Sequence, residues 1–156
     1  MTKIKFGYKD IEELDKPKEV NDVFTSVSNK YDVMNDIMSF GLHRLWKKQF
    51  IRLCNIQSQK KVLDIACGTG DIALELIKKN PSIELTCLDP NTEMIEICKE
   101  KFINKGMINV SYEVKGIEEY KSKDKKFDLI TVTFGFRNFT NHKIALQNII
   151  QLLEPG

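Results

Sequence analysis

The chain has 156 residues, of which 42% are hydrophobic and 29% are charged, and its formal net charge is +2. This composition is typical of a soluble globular domain with a sizeable core, and it excludes a disordered or fibrous chain. So small a net charge gives no argument for nucleic-acid binding, whereas a pI near 8.3 is compatible with an anionic membrane surface. We expect neither a secretory signal nor a membrane-spanning helix, because no stretch approaches about 18 apolar residues.

The N-terminal third is expected to be helical after a loosely held polar arm over residues 1–16. Apolar residues at a spacing of three to four predict an amphipathic helix over 17–31, a short helical piece over 33–40 and a third helix over 42–53. Helices placed before the first strand of a sheet either form a lid over an acceptor pocket or simply pack on the core. Periodicity alone leaves both interpretations open.

Strands alternate with helices from Lys61 onward. We predict strands at 61–65, 84–88, 109–114 and 127–133, and helices at 71–79, 92–105 and 142–153. This order predicts an α/β fold with parallel strands, right-handed crossovers and a ligand at the carboxyl edge of the sheet. The last strand would form an apolar edge, and Pro155 and Gly156 are typical of a helix end that leads into another strand. We therefore expect one domain, 1–156, with a C-terminally incomplete sheet.

A glycine turn follows the first of these strands. Gly68 and Gly70 allow a tight turn and a close approach of the backbone to a ligand, and Asp71 opens the next helix. With Ala73 these glycines satisfy the G-x-G-x-x-A pattern, and Asp89 follows at the distance of a ribose-binding acid, so a dinucleotide site is one interpretation.

Charge favours a second ligand class at this turn. A pyrophosphate prefers a positive helix N-terminus, whereas Asp64 and Asp71 would repel it. S-adenosylmethionine carries a sulfonium and an amino cation and no phosphate. Asp64 could then take the amino group and Asp89 the ribose hydroxyls. Alternatively, Asp71 only complements the dipole of the helix that it opens.

The cysteines and histidines give no metal-site pattern. Cys54, Cys67, Cys87 and Cys98 are widely spaced without a C-x-x-C motif, and three of them lie in apolar segments. We therefore expect reduced core thiols, rather than disulfides or zinc ligands, and a reducing compartment. Two histidines with no matching acidic spacing predict no metal.

Three motifs carry a resemblance to a known family. Asp64-Ile-Ala-Cys-Gly-Thr-Gly70 with Asp89 resembles the cofactor motif of class I S-adenosylmethionine-dependent methyltransferases. The stretches 31–46 and Phe134-Gly-Phe-Arg-Asn-Phe-Thr140 are similar to the two signatures of the ubiquinone/menaquinone biosynthesis C-methyltransferase family. The resemblance implies a Rossmann-like sheet that continues beyond this chain, with a helical lid region at 1–53 and a cofactor-binding core at 54–156.

The resemblance also implies an activity and a set of site residues. The activity is methylation of a ring carbon of a polyprenylated benzoquinol or of demethylmenaquinol. Where relatives often carry Asn or Asp followed by Ala, this chain has Gly116 and Ile117, so only main-chain amides would reach the adenine. Arg137 and Asn138 would hold the ring oxygen, and Tyr31 would hydrogen-bond the acceptor. The residues implied for the cofactor are Asp64, Gly68, Thr69, Gly70, Asp89, Gly116, Ile117 and Thr133.

The expected partner is a polyprenyl quinol reached from the membrane face. We expect a cytoplasmic protein, peripheral on the inner membrane, with the helices of 20–53 as a lid that brings Trp46 and basic residues to the bilayer. A homo-oligomer, or a complex of quinone-biosynthesis proteins, stays open, and no nucleic acid is expected. Two alternatives stay open as well, namely a methyltransferase of the same fold for a soluble small molecule and a cofactor-binding fragment without turnover.

Overall fold

The computed structural model describes residues 3–6, 9–12, 42–56, 60–122 and 126–155. The strands are β1 Lys3–Phe6, β2 Lys9–Glu12, β3 Lys61–Ile65, β4 Glu84–Asp89, β5 Val110–Val114 and β6 Leu129–Val132. The helices are α1 Leu42–Leu53, α2 Asp71–Lys79, α3 Thr92–Ile103 and α4 His142–Leu152, and a 3-10 helix covers Phe136–Asn138. Within these ranges, no helix has the length and apolarity that crossing a membrane requires.

The strands from β3 onward form one parallel sheet in the order β5-β4-β3-β6. This confirms the predicted α/β fold and its four parallel strands. β3 lies between two strands, and four of its five residues are buried, as expected for a strand covered on both faces. β6 is one of the two edge strands of this sheet, and an edge position was predicted for it. After α4 the chain returns to it, and Leu153 pairs in parallel with Phe127.

Two apolar clusters cover the two faces of the sheet. The first joins β3 and β4 to the helices α1, α2 and α3 and has Leu76 and Phe102 at its centre. The second joins Leu63, Ile65 and Phe127 to α4. Helices therefore cover both faces of the sheet, and the loops that follow β3, β4 and β6 lie at its carboxyl edge.

The sequence did not predict the two strands in the polar arm at the start of the chain. β1 and β2 pair in antiparallel register, with Lys3 opposite Glu12 and Phe6 opposite Lys9. Charged and apolar residues alternate in β1, and the register sets Lys3 opposite Glu12 and Lys5 opposite Asp10, which are favourable cross-strand pairs of opposite charge. The third predicted helix is confirmed as α1, whereas the helices predicted over 17–31 and 33–40 lie outside the described residues.

Candidate functional site

The turn after β3 depends on positive φ angles, at Ala66 (52°), Gly68 (54°) and Gly70 (80°). A Cβ on Gly68 would meet nothing within 4 Å, whereas a Cβ on Gly70 would lie 2.4 Å from the Sγ of Cys98. Packing against α3 therefore requires glycine at position 70. The open space is at Gly68, and a ligand can approach the main chain there.

Asp89 at the end of β4 connects two loops. Its Oδ2 accepts a hydrogen bond from the Gly68 N–H and its Oδ1 one from the Asn91 N–H, both at 2.9 Å. Burial raises the pKa of Asp89 above its ordinary value, although these two hydrogen bonds oppose the shift. Because each carboxylate oxygen has a second lone pair, Asp89 can shape the turn and still accept from a ligand.

Asp64 in the middle strand carries a buried oxygen without a partner. Only 1% of this residue is exposed, and its Oδ1 accepts a 2.7 Å hydrogen bond from the Thr131 hydroxyl. Its Oδ2 makes no hydrogen bond of good geometry within the described residues, although the backbone N–H of Ala73 in α2 acts on the carboxylate and partly opposes the rise of its pKa. Burial raises the pKa of Asp64 to about 7. A buried acceptor without a donor is costly, so this oxygen fits a cationic donor supplied by a ligand.

Asp71 is a paired acid, in contrast to the sequence-based argument. Lys47 of α1 and Lys101 of α3 both donate to its carboxylate, and the Lys101 Nζ lies 2.8 Å from Oδ1. Burial by itself would raise the pKa of Asp71, but the two lysines lower it below its ordinary value. The two cations outnumber this anion, so the prediction that Asp71 repels a pyrophosphate is wrong. The charge argument against a pyrophosphate therefore rests on Asp64 and Asp89.

The loop after β6 packs directly on the glycine turn. Phe134 has a φ of 61°, and a Cβ added to the next residue, Gly135, would lie only 2.2 Å from the Cβ of Ala66. The sequence motif around Asp64 and the signature that begins at Phe134 are therefore in contact. Strained main-chain angles on both sides of this contact are a common feature of functional sites.

An open cavity of about 370 Å³ lies between α1 and the end of β6. Its lining consists of Trp46, Lys47, Gln49, Phe50, Leu53, Val132, Thr133 and Phe134. Trp46, Leu53 and Phe134 remain 66%, 74% and 58% exposed. The Thr133 Oγ1 is buried and has no hydrogen-bond partner within the described part of the chain. A concave apolar surface with one unsatisfied polar atom is suited to an apolar ligand with a polar end.

The other predicted site residues lie on the loops of the same edge. Arg137 is exposed and Asn138 is half-buried, both in the 3-10 helix that follows Phe134. Ile117 is 1% exposed with its side chain in the core, so only its main chain is available to a ligand. The Thr69 hydroxyl accepts from Lys101 at 3.2 Å. Tyr31 lies outside the described residues.

Two positioning residues had no signal in the sequence. Glu118 Oε1 accepts from the Thr140 N–H at 2.8 Å and from the Asn141 N–H at 3.3 Å, which ties the loop after β5 to the loop after β6. Asn148 of α4 donates to the carbonyl oxygens of Ile117 and Glu118. These contacts join residues that are 22 to 31 positions apart, so no local pattern could have revealed them.

Comparison with known proteins agrees with this geometry. The UbiE ubiquinone/menaquinone biosynthesis C-methyltransferase of Pseudomonas paraeruginosa is 41% identical over 153 residues, which cover 97% of this chain and 60% of the relative. The protein of the same name from Rickettsia bellii is 43% identical over 161 residues, 99% of this chain and 64% of the relative. The chain thus spans about 60% of the length of the curated relatives it matches.

Solved structures show the same fold. The Bacillus subtilis YcgJ protein has a TM-score of 0.62 at 25% identity, over 69% of this chain and 45% of that one. The plantazolicin methyltransferase BpumL, solved with a substrate analogue and SAH, has a TM-score of 0.65 at 22% identity, over 91% of this chain and 55% of its own. The model of the ubiE/COQ5 methyltransferase family matches residues 11–156, nearly the whole length. With this match, the glycine turn and the signature loop packed on it identify the chain as a member of the ubiE/COQ5 methyltransferase family.

Proposed function

We propose that this chain binds S-adenosylmethionine at the glycine turn and takes part in the C-methylation of a polyprenyl quinol. The observation that carries the proposal is a buried Asp64 oxygen without a donor, at the same sheet edge as an apolar cavity. The names of the curated relatives and the SAH in the BpumL structure support the same cofactor and acceptor class.

The residues present fit this cofactor. The Asp64 Oδ2 would accept from the amino group, which supplies the missing donor, and Asp89 would accept from the ribose hydroxyls. The open space over Gly68 leaves room for the ligand, and the main chain of Gly116 and Ile117 would contact the adenine. Thr69 and Thr133 complete the predicted set.

S-adenosylmethionine supplies an activated methyl group when it is bound. The chain's own part is to align the acceptor carbon and to exclude water, since methyl transfer needs a nucleophile in line with the methyl group. A ring carbon is most nucleophilic when a neighbouring ring oxygen is ionised. The role of the Arg137 guanidinium in this proposal is to stabilise that oxygen as a phenolate, while Asn138 orients the ring and Tyr31 donates a hydrogen bond.

The apolar cavity supports a prenylated acceptor. Its exposed aromatic and aliphatic lining favours an isoprenoid chain over a small polar molecule. On the same helix, Lys48 and Arg52 are exposed, and each could contribute about 1 kcal/mol near an anionic bilayer. This arrangement supports a peripheral contact in which α1 faces the membrane.

Calorimetry with S-adenosylmethionine and with NAD tests the cofactor proposal. We expect saturable binding of the first ligand, weaker binding by the Asp64→Asn variant, and no binding of NAD. Tight NAD binding, or unchanged affinity in Asp64→Asn, would contradict the proposal. A Glu75→Gln variant on the exposed side of α2 is the matched control and should bind as the parent does.

A transfer assay with prenylated and unprenylated quinols, in the presence of anionic vesicles, tests the acceptor. We expect methylation of the prenylated quinol, with a higher KM in Trp46→Ala and an unchanged KM in Lys48→Ala at high salt. Equal rates on both quinols would instead favour a soluble acceptor. Binding of cofactor without turnover would favour the third candidate function, a cofactor-binding fragment.

A further inference from the structure

Three of the four cysteines come together beneath the glycine turn. All four are free thiols, as predicted, but the Sγ atoms of Cys67, Cys87 and Cys98 lie within 4.8 Å of one another. They belong to three separate elements, namely the turn after β3, strand β4 and helix α3. The cluster therefore depends on tertiary packing, and neither the cofactor nor the acceptor site proposed above uses it.

The cluster is an enclosed group of sulfur atoms, the kind of site that binds a thiophilic metal ion. Cys87 and Cys98 are fully buried, whereas Cys67, which lies in the turn, is partly exposed as a residue. Gly70 leaves no free volume beside Cys98, and Phe102 closes the same side. The charged groups that act on the cluster are Lys101, Asp71 and Asp64.

The distances match a three-coordinate metal centre after a small adjustment. With metal–sulfur bonds of about 2.3 Å, three sulfurs around one ion lie about 3.8–4.0 Å apart. The observed upper limit of 4.8 Å requires each sulfur to move inward by less than an ångström. Side-chain rotation can supply that, because the partly exposed Cys67 lies in a loop. Thiolate ligands select soft ions such as Zn²⁺ and Cu⁺.

We propose that Cys67, Cys87 and Cys98 bind one thiophilic cation with a filled d shell as a trithiolate site beneath the glycine turn, either Cu⁺ with the three sulfurs alone or Zn²⁺ with a solvent molecule as its fourth ligand. Each thiol that becomes a ligand releases its proton to solvent as the metal–sulfur bond forms, and no electron is transferred. The ion would link the turn to β4 and α3, so the bound protein should be more resistant to unfolding. This proposal does not depend on the proposed methyl transfer.

Competition between the reduced, metal-free protein and a chromophoric chelator tests the site, with Zn²⁺ in one series and Cu⁺ under anaerobic conditions in another. We expect one equivalent of at least one of these ions to be withdrawn from the chelator, together with a rise in Tm. No S-adenosylmethionine is present in either series, so failure of the cofactor proposal would leave the result unchanged.

Single substitutions separate the cluster from general thiol binding. Cys67→Ser is the principal variant, because Cys67 lies in the turn rather than in a helix or strand and serine is close to cysteine in size, so the fold should persist. Loss of a direct ligand should weaken binding by at least about 100-fold, since even partners outside the ligand set are worth about 10–100-fold. Cys54→Ser, which lies outside the cluster, is the control and should bind as the parent does. The proposal is overturned if neither ion is bound, or if Cys67→Ser retains the parent affinity.

Discussion

Gly135 is expected to tolerate a side chain only when Ala66 loses its own. In the parent protein, a Cβ at position 135 would lie 2.2 Å from the Ala66 Cβ, far inside van der Waals contact. Overpacking of this kind costs about 1–3 kcal/mol. The next nearest atom is the Ala66 Cα at 3.7 Å, an ordinary contact distance. The cost of Gly135→Ala should therefore disappear almost entirely in an Ala66→Gly background.

The background substitution has its own small effect. Ala66 has a φ of 52°, and a left-handed alanine is strained by about 1–2 kcal/mol. Replacing it with glycine removes that strain but adds freedom to the unfolded chain, which offsets about 0.4–1 kcal/mol. Ala66→Gly should thus be neutral to slightly stabilising. At Gly135 the φ of −80° suits alanine, so the double variant should be at least as stable as Ala66→Gly alone.

Urea denaturation of the four proteins in this double-mutant cycle measures the coupling energy. We expect about 1–3 kcal/mol of coupling, with Gly135→Ala the least stable of the four. The matched control is Gly106→Ala, a glycine with a φ of 69° and open space around it, whose effect should add to that of Ala66→Gly. A coupling energy no larger than the control's would refute direct packing of the signature loop on the glycine turn.

Three other predictions concern the acids of the site. Folding raises the pKa of Asp64 from 3.8 to about 7, so between these pH values the folded state holds a proton that the unfolded state has lost. The free energy of unfolding should therefore fall as the pH rises from 3.8 to about 7, and Asp64→Asn should flatten that part of the stability-versus-pH profile. An identical slope in this variant would contradict the assignment. Asp89→Ala should weaken S-adenosylmethionine binding by roughly 2–4 kcal/mol in calorimetry, since each charge-assisted hydrogen bond contributes about 1.5–3 kcal/mol and the two losses are not fully additive. Unchanged affinity would show that Asp89 does not contact the cofactor. Lys47→Met should destabilise the fold by about 1 kcal/mol in thermal melts, because Asp71 loses a partly exposed ion-pair partner. The control Lys48→Met, at the exposed neighbouring position, should have little effect, and equal losses in the two variants would argue against the ion pair.

The sequence alone determined the elements whose signals are local. β3 and α2 begin and end at the predicted residues, because the apolar periodicity and the glycine turn that define them depend only on residues a few positions apart. The parallel order followed from the alternation of strands and helices. The same reasoning missed β1 and β2, since each has only four residues and the adjacent charges Lys9 and Asp10 break the period of two in β2.

Only the tertiary structure decided which distant groups meet. The parallel crossovers bring Thr131 to Asp64, and Lys47 and Lys101 to Asp71, across 24 to 67 positions of sequence. These partners reversed the expected charge of the turn at Asp71 and left one oxygen of Asp64 without a donor. The same crossovers gather three cysteines that no spacing rule connects. Contacts of this kind depend on which side chains face each other after packing, and a local pattern holds no information about that pairing.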